Sequence, residues 1–257
     1  MKIDFHIHGK LTKKVDFLGD YLLSMIEAAQ KDGLTAITLT EHFNTKRFED
    51  IYDWLDQHYT YTNDCYDISG FRVFAGMEVD VKDGGHILVT AGREAIRSMR
   101  RHLEAHVAKD CFIELANLFE LIAKYDSLVI GAHPLRKSNP LAQHPLDLLK
   151  KFDAFDLNSR DLHEYGLLEM EAKVRALAAE AAIPVVAGSD AHHPLQAGAV
   201  MNEFEADCTT IAALKREIRS QRYQIQISPC LDTKVAAAEI VKPLLVEQLN
   251  APANVHA

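Results

Sequence analysis

Short apolar segments and amphipathic segments alternate along most of this 257-residue chain. "KIDFHI", "TAITLT", "SLVIGAHP", "AFDLNS" and "IPVVAGSDAHHP" have the length and composition of strands. "FRVFAGMEVDVKDGGHILVTAG" reads as two more, joined at the "DGG" turn. Between them, "DYLLSMIEAAQKDGL" puts Leu22, Met25, Ile26 and Ala29 on one helical stripe and stops at Gly33. "FEDIYDWLDQHY", "LLEMEAKVRALAAEAA" and "TIAALKREIRSQ" also have helical patterns, as do stretches at roughly 93–108, 112–125 and 145–152. "VAAAEIVKPLLVEQL" predicts a last helix interrupted at Pro243. Apolar strands alternating with helices predict a parallel sheet covered on both faces. With six or seven candidate strands, a (β/α) barrel is favoured over an open sheet. No Ser- or Pro-rich linker and no repeat divides the chain, so residues 1–257 are expected to form one domain, with a C-terminal helical segment at about 229–250.

Composition narrows the function. A formal net charge of -9 argues against a broad nucleic-acid footprint, so no long nucleic acid is expected as partner. Cys65, Cys111, Cys208 and Cys230 are scattered without a CxxC pair and read as reduced thiols. The chain opens on a strand pattern, with no secretory leader and no apolar run of about 20 residues, which predicts a cytoplasmic protein without a membrane partner.

Nearly every strand ends in a metal-ligand type. The first carries Asp4, His6 and His8, which strict alternation would set on one face. The second ends in Glu41 and His42 of "TEH". Glu78 lies in "GMEVD", His86 begins its hairpin partner, His133 closes "GAHP", and Asp190 and His192 close "GSDAH". In a parallel barrel these ends meet at one mouth. Histidines with carboxylates suit Zn, Mn or Fe better than calcium. About six imidazoles and two carboxylates exceed the needs of one tetrahedral ion, so two or three ions are expected. Asp4 reads as a group orienting an imidazole, and Glu41 alternatively as a helix cap. His102 and His106 share a solvated helix face, His58, His144 and His256 read as surface residues, and His193 alternates away from His192.

"DFHIH", "TEH", "GMEVD", "GAHP" and "GSDAH", in this order between Lys2 and about Pro194, resemble the PHP (polymerase and histidinol phosphatase) superfamily. The resemblance implies a distorted (β/α)7 barrel with a di- or trinuclear metal site at the C-terminal strand ends. It implies a histidinol-phosphatase-type phosphoesterase cleaving a small phosphorylated substrate through a metal-activated water. His6, His8, Glu78 and Asp190 would surround one metal, with Glu78 bridging to a second held by His133 and His86. His42 and His192 would hold a third. His6, His8, Glu78, His133, Asp190 and His192 would thus serve catalysis through the metals. The chain departs from the family where a further His or Asp usually follows the HxH: "GKLTKKVDF" stands there, so Lys10, Lys13, Lys14 or Asp16 would complete or replace the third site.

Arg136, Lys137 and Arg160 are placed to neutralise phosphate, and His163 to contact substrate or protonate a leaving alkoxide. The same site would serve a nucleotide phosphoesterase, an exonuclease or a phosphotyrosine phosphatase, and Tyr52, Trp54, Tyr59 and Tyr61 could stack on a ring. An amidohydrolase and a non-catalytic metal-binding module are the remaining readings. The segment from about Ser228 is expected to pack on the barrel or on another subunit, and "NAPANVHA" to fray.

Overall fold

The computed structural model describes residues 1–250. Its eleven strands are β1 (Lys2–Ile7), β2 (Ala36–Leu39), β3 (Thr60–Thr62), β4 (Cys65–Ile68), β5 (Phe71–Asp80), β6 (His86–Ala91), β7 (Ser127–Ala132), β8 (Ala154–Asn158), β9 (Val185–Gly188), β10 (Val200–Phe204) and β11 (Tyr223–Ile227). Seven of them, in the order β1-β2-β5-β6-β7-β8-β9, form the barrel wall. The ring closes where the continuation of β9 meets β1. Asp190 N–H donates to His6 O (2.8 Å) and His8 N–H to Ala191 O (3.0 Å). Asn202 of β10 clamps the seam: its amide nitrogen donates to Ile3 O (3.0 Å) and Ala187 O (2.8 Å), and its oxygen accepts from Ala187 N–H (2.8 Å).

Six of these wall strands run parallel and β6 runs against them. The reversal follows from the tight turn after β5, where Asp83, Gly84 and Gly85 take φ of 65°, 93° and 115°. It brings the first residue of β6, His86, to the same mouth as the last residues of its neighbours. A ring of seven strands with one reversed fits the distorted barrel that the resemblance implies.

The helices lie outside the barrel for the expected reason. Leu22, Met25, Ile26 and Ala29 are the buried stripe of helix Gly19–Lys31. They join Ile37, Leu39 and Val73 in an outer apolar layer. A second cluster fills the inside: Phe5, Phe74, Leu88, Ile130 and Val186 form a floor below the mouth. Helix Ile211–Ser220 closes the opposite end with Ile211, Leu214 and Ile218.

Several elements differ from the sequence reading. The β3–β4 hairpin, β10, β11 and helix Ser159–Tyr165 were not anticipated. The 93–108 stretch is α-helical over Arg93–His102 and continues as a 3-10 turn at Glu104–His106, and 112–125 is α-helical only over Leu115–Ile122. The final helix, Leu231–Asn250, is not interrupted; it runs through Pro243, which sits on its exposed side. The "NAPANVHA" segment beyond Asn250, with His256, lies outside the described residues.

Candidate metal centre

Six wall strands or their continuations deliver donor side chains to the mouth, and each has a local cause. On β1, an extra residue relative to β2 between Asp4 and Ile7 breaks the alternation. Asp4 is therefore in register with Ile37 of the outer layer, while His6 and His8 meet the carboxylates of the mouth. The expected array of Asp4, His6 and His8 on one face does not form. Asp4 accepts the N–H groups of His6 (2.9 Å) and Ser189 (3.0 Å), and burial raises its pKa to about 7. It does not orient an imidazole. Asp156 of β8 does, with Oδ2 3.0 Å from His6 Nδ1.

Beyond β2, Glu41 and His42 run alongside β5: Glu78 N–H donates to Glu41 O (2.9 Å) and Phe43 N–H to Glu78 O (2.8 Å). After β7 and β9 the chain turns sharply, and His133 and Asp190 take φ of 30° and 57°. Left-handed backbone at two non-glycine donor positions is strain of the kind functional sites retain.

Glu78 is the hub. Its Oε1 lies 2.7 Å from His86 Nδ1, 3.3 Å from His6 Nε2 and 3.4 Å from His133 Nε2. Its Oε2 lies 2.8 Å from His42 Nδ1 and 3.6 Å from His8 Nε2. Asp190 Oδ1 lies 3.2 Å from His8 Nε2, 3.5 Å from His6 Nε2 and 3.6 Å from His192 Nδ1. All eight side chains named from the sequence thus meet in one cluster.

Both Glu78 oxygens, His6 Nε2, both ring nitrogens of His8 and His42 Nδ1 are buried without an aligned hydrogen-bond partner. Such groups are costly to bury unless something else satisfies them. Three donor sets lie mutually within 4.8 Å: His6, Glu78 and His133; His6, His8 and Asp190; and His8, His42 and His192. The atoms converge on shared points, and the imidazole–carboxylate chemistry fits Zn, Mn or Fe.

The electrostatics point the same way. Burial opposes ionisation of Glu78, yet His86, His42 and His6 hold its carboxyl well below the usual range. Burial likewise opposes charge on His6, but Asp190 and Glu78 raise its pKa well above normal. His86 is raised to about 9 by Glu78 and Asp80 against its burial. His133, buried and near Arg136, falls to about 3. Positive charge is favoured where the rings meet the carboxylates, and a metal ion can supply it as a proton does.

A second layer locks the donors. Asp156 Oδ2 accepts from Asn158 Nδ2 (3.1 Å), and Asn158 Oδ1 accepts from Arg136 Nη2 (2.9 Å). Arg136 Nη1 donates to Asp190 Oδ2 (2.9 Å), closing a ring back to His6, while Nε donates to Asp161 (2.7 Å). Arg136 is therefore a buried support for Asp190, with all three guanidinium nitrogens engaged by protein groups. Asp80 holds His86 Nε2 at 3.0 Å. Buried Glu41, far from capping a helix, lies 3.9 Å behind His8 Nδ1 and receives His42 N–H (3.1 Å).

Other expected contacts fall elsewhere. Lys10 is buried with its ammonium on Thr45 Oγ1 (2.8 Å) and Lys46 O (2.7 Å), and Asp16 pairs with Lys46 (2.8 Å), so neither joins the donor cluster. Lys13 donates to Asn44 Oδ1 (3.4 Å) and lies 3.9 Å from Asp80, and Lys14 is exposed. Lys137 lies over the Tyr165 ring at 4.8 Å, and His163 pairs with Asp232 (2.8 Å). Arg160 does line the cavity above the donors, paired there with Glu239. Tyr52 is buried with its hydroxyl on Gly76 O (2.6 Å), and Trp54, Tyr59 and Tyr61 pack against the outer layer. Asp80, Asp156 and Asn158 were missed. A carboxylate inside an otherwise apolar strand, as in "AFDLN", was the available signal for Asp156.

A seven-stranded barrel with one reversed strand, holding a ring of histidines and carboxylates at its mouth, defines the class: a PHP-like (β/α) barrel with a candidate metal centre. Comparison with known proteins agrees. Residues 171–223 match the PHP_C family, described as PHP-associated. The fold matches PsfC from Pseudomonas syringae PB-5123 with a TM-score of 0.77 at 19% identity, over 95% of this chain and 98% of that one. It also matches the lesion-specific endonuclease Q of Pyrococcus furiosus (TM-score 0.67, 19% identity, 87% of this chain), of which this chain spans only 57%. A protein from Bifidobacterium adolescentis ATCC 15703 described as a metal-dependent phosphoesterase matches at TM-score 0.51 and 14% identity, over 75% of this chain and 88% of that one. No curated protein sequence matches significantly. The resemblance to the PHP superfamily drawn from the five motifs is thus matched by the fold and by a PHP-associated segment that contains Asp190 and His192.

Proposed function

We propose that the protein is a metal-dependent phosphoesterase acting on a small phosphate monoester. The observation that carries this reading is Glu78: a buried carboxylate facing five imidazoles, with neither oxygen engaged in an aligned hydrogen bond. His6, His8, Glu78, His133 and Asp190 would hold two ions, with His86 beside them, and His42 and His192 would hold a third with His8. Divalent ions bound there would lower the pKa of a coordinated water to about 7 and neutralise phosphate oxygens.

The chain's own part is preorganisation. Asp156 fixes the His6 ring, Arg136 fixes Asp190, and Asp80 fixes His86, so the donors need not reorganise as the reaction proceeds. Beside Asp190 and His192 opens a cavity of about 490 Å³, in the range for a small molecule. The likeness to endonuclease Q raises a DNA reading; the net charge of -9 weighs against it.

The test is elemental analysis of the purified protein, then turnover of histidinol phosphate, nucleotides and phosphotyrosine with added Mn or Zn. Two or more metals per chain, and turnover that His8→Ala abolishes, support the proposal. Less than one metal per chain and no cleavage after reconstitution would overturn it and leave a binding module.

A further inference from the structure

The final helix, Leu231–Asn250, lies outside all five motifs, yet it forms one wall of the cavity over the donor cluster. Its near end is fixed. Val235 and Ala238 are buried, Lys234 donates to Asp32 Oδ2 (2.7 Å) and Ala197 O (3.0 Å), and Glu239 pairs with Arg160 (3.1 Å). Val235, Ala238, Glu239, Lys242 and Val246 follow the helical repeat and share one face, which lines the same cavity as Asp190 and His192. Farther along, Leu245, Gln248 and Leu249 line a second cavity with Gly9, Lys10 and Lys14, so the helix spans from the loop after β9 to the loop after β1.

Lys242 stands out on that face. It is half-buried, and among the described residues it has neither an ion-pair nor a hydrogen-bond partner. Burial and the neighbouring Arg160 lower its pKa while Asp190, Glu41 and Glu78 oppose that shift, so its ammonium sits within the field of the donor carboxylates. The other cation of the cavity, Arg160, is already matched by Glu239. A half-buried lysine whose ammonium has no partner among the described residues, on a cavity wall beside a candidate metal centre, is suited to an anion that enters with the substrate.

We infer that Lys242 is a substrate-binding residue: it grips the phosphate oxygens that point away from the metal centre, and the helix carrying it restricts the site to small phosphomonoesters. The inference rests on the phosphoesterase reading. A wall of this kind suits a substrate that enters the cavity whole, and leaves a long polynucleotide no straight path across the mouth.

The experiment uses the full chain, loaded with Mn or Zn, and inorganic phosphate as the probe. Calorimetry gives phosphate affinity for wild type, Lys242→Gln and Lys242→Arg, and elemental analysis gives their metal content. Steady-state turnover of p-nitrophenyl phosphate separates KM from kcat. The expected result is phosphate affinity about tenfold or more weaker in Lys242→Gln, a matching rise in KM, unchanged metal content, and recovery to within about threefold in Lys242→Arg. Wild-type phosphate affinity in Lys242→Gln overturns the inference and leaves the phosphoesterase reading standing. Loss of metal in Lys242→Gln also overturns it, because Lys242 would then act on the donors. Phosphate binding that depends on Lys242 in a protein that cleaves no ester would sink the phosphoesterase reading while keeping the anion site.

Discussion

Arg136 is where a residue's chemistry and its place in the fold diverge most. Just after "GAHP", an arginine invites assignment to the substrate phosphate. Its guanidinium instead meets Asp161, Asp190 and Asn158, all within 2.9 Å, and is largely removed from water. Asp161 shows the tension of this environment: burial raises its pKa to about 6 even with the guanidinium beside it. Replacing Arg136 by methionine would keep the side-chain volume and leave two buried carboxylates without their cation. The expected loss is about 3–5 kcal/mol of stability, the usual cost of removing one partner of a buried ion pair, read as a lower denaturant midpoint. A variant of wild-type stability whose only defect is a higher KM would instead return Arg136 to the substrate. The residues that the sequence did reveal share a property Arg136 lacks. His6, His8, His42, Glu78, His86, His133, Asp190 and His192 stand at strand ends, where a chain that merely packs has no use for buried imidazoles.

At the scale of elements, barrel closure depends on a residue that no motif contains. Asn202 joins Ile3 on β1 to both backbone groups of Ala187 on β9, through three hydrogen bonds at zero exposure. Asn202→Ala would strand those groups in a dry seam, and a loss of about 2–4 kcal/mol is expected, measurable by urea unfolding. If the variant unfolds like wild type, the seam is held by β1 and β9 alone. The wall strands were legible because burial on both faces makes them continuous apolar runs, as "SLVIGA" and "VVAG" are. The β3–β4 hairpin was not, since "TYTNDCYDI" mixes exposed and buried positions outside the ring and carries no clean period. β10 and β11 were missed for other reasons: "VMNEF" is largely buried but its apolar run is broken by Asn202 and Glu203, and "YQIQI" alternates but is short and only half-covered at the sheet's edge. The bulge in β1 could not be read either, because registry belongs to a pair of strands, and one strand's sequence states only its own alternation. The final helix was mistaken at Pro243 for a related reason. Proline costs an interior helix about 3 kcal/mol, but the buried anchors Leu231, Val235 and Ala238 hold the helix in place, and they lie before the proline.

Across the whole molecule, the donor cluster links the mouth ends of β1, β2, β5, β6, β7 and β9 through charges that the fold buries. Without a metal ion, Glu78 stays ionised through imidazoles such as His6 and His86 that are drawn toward protonation, and Asp190 through His6, Arg136 and His8. A metal ion that binds the folded chain must therefore stabilise it globally. At a free metal concentration 100 times its Kd, the gain is about 2.7 kcal/mol. For a chain of this size that corresponds to a rise in Tm of about 5–10 °C. Thermal unfolding of chelator-treated protein, repeated with Zn, Mn, Ca and Mg, reads this directly. Zn and Mn are expected to give the shift, and Ca and Mg much less, because a donor set built on imidazoles does not suit cations that prefer oxygen. Equal shifts with all four would point to diffuse screening of the acidic chain. No shift with any of them would mean that the buried rings and carboxylates satisfy one another through protons alone, and the metal-dependent reading would lose its physical basis.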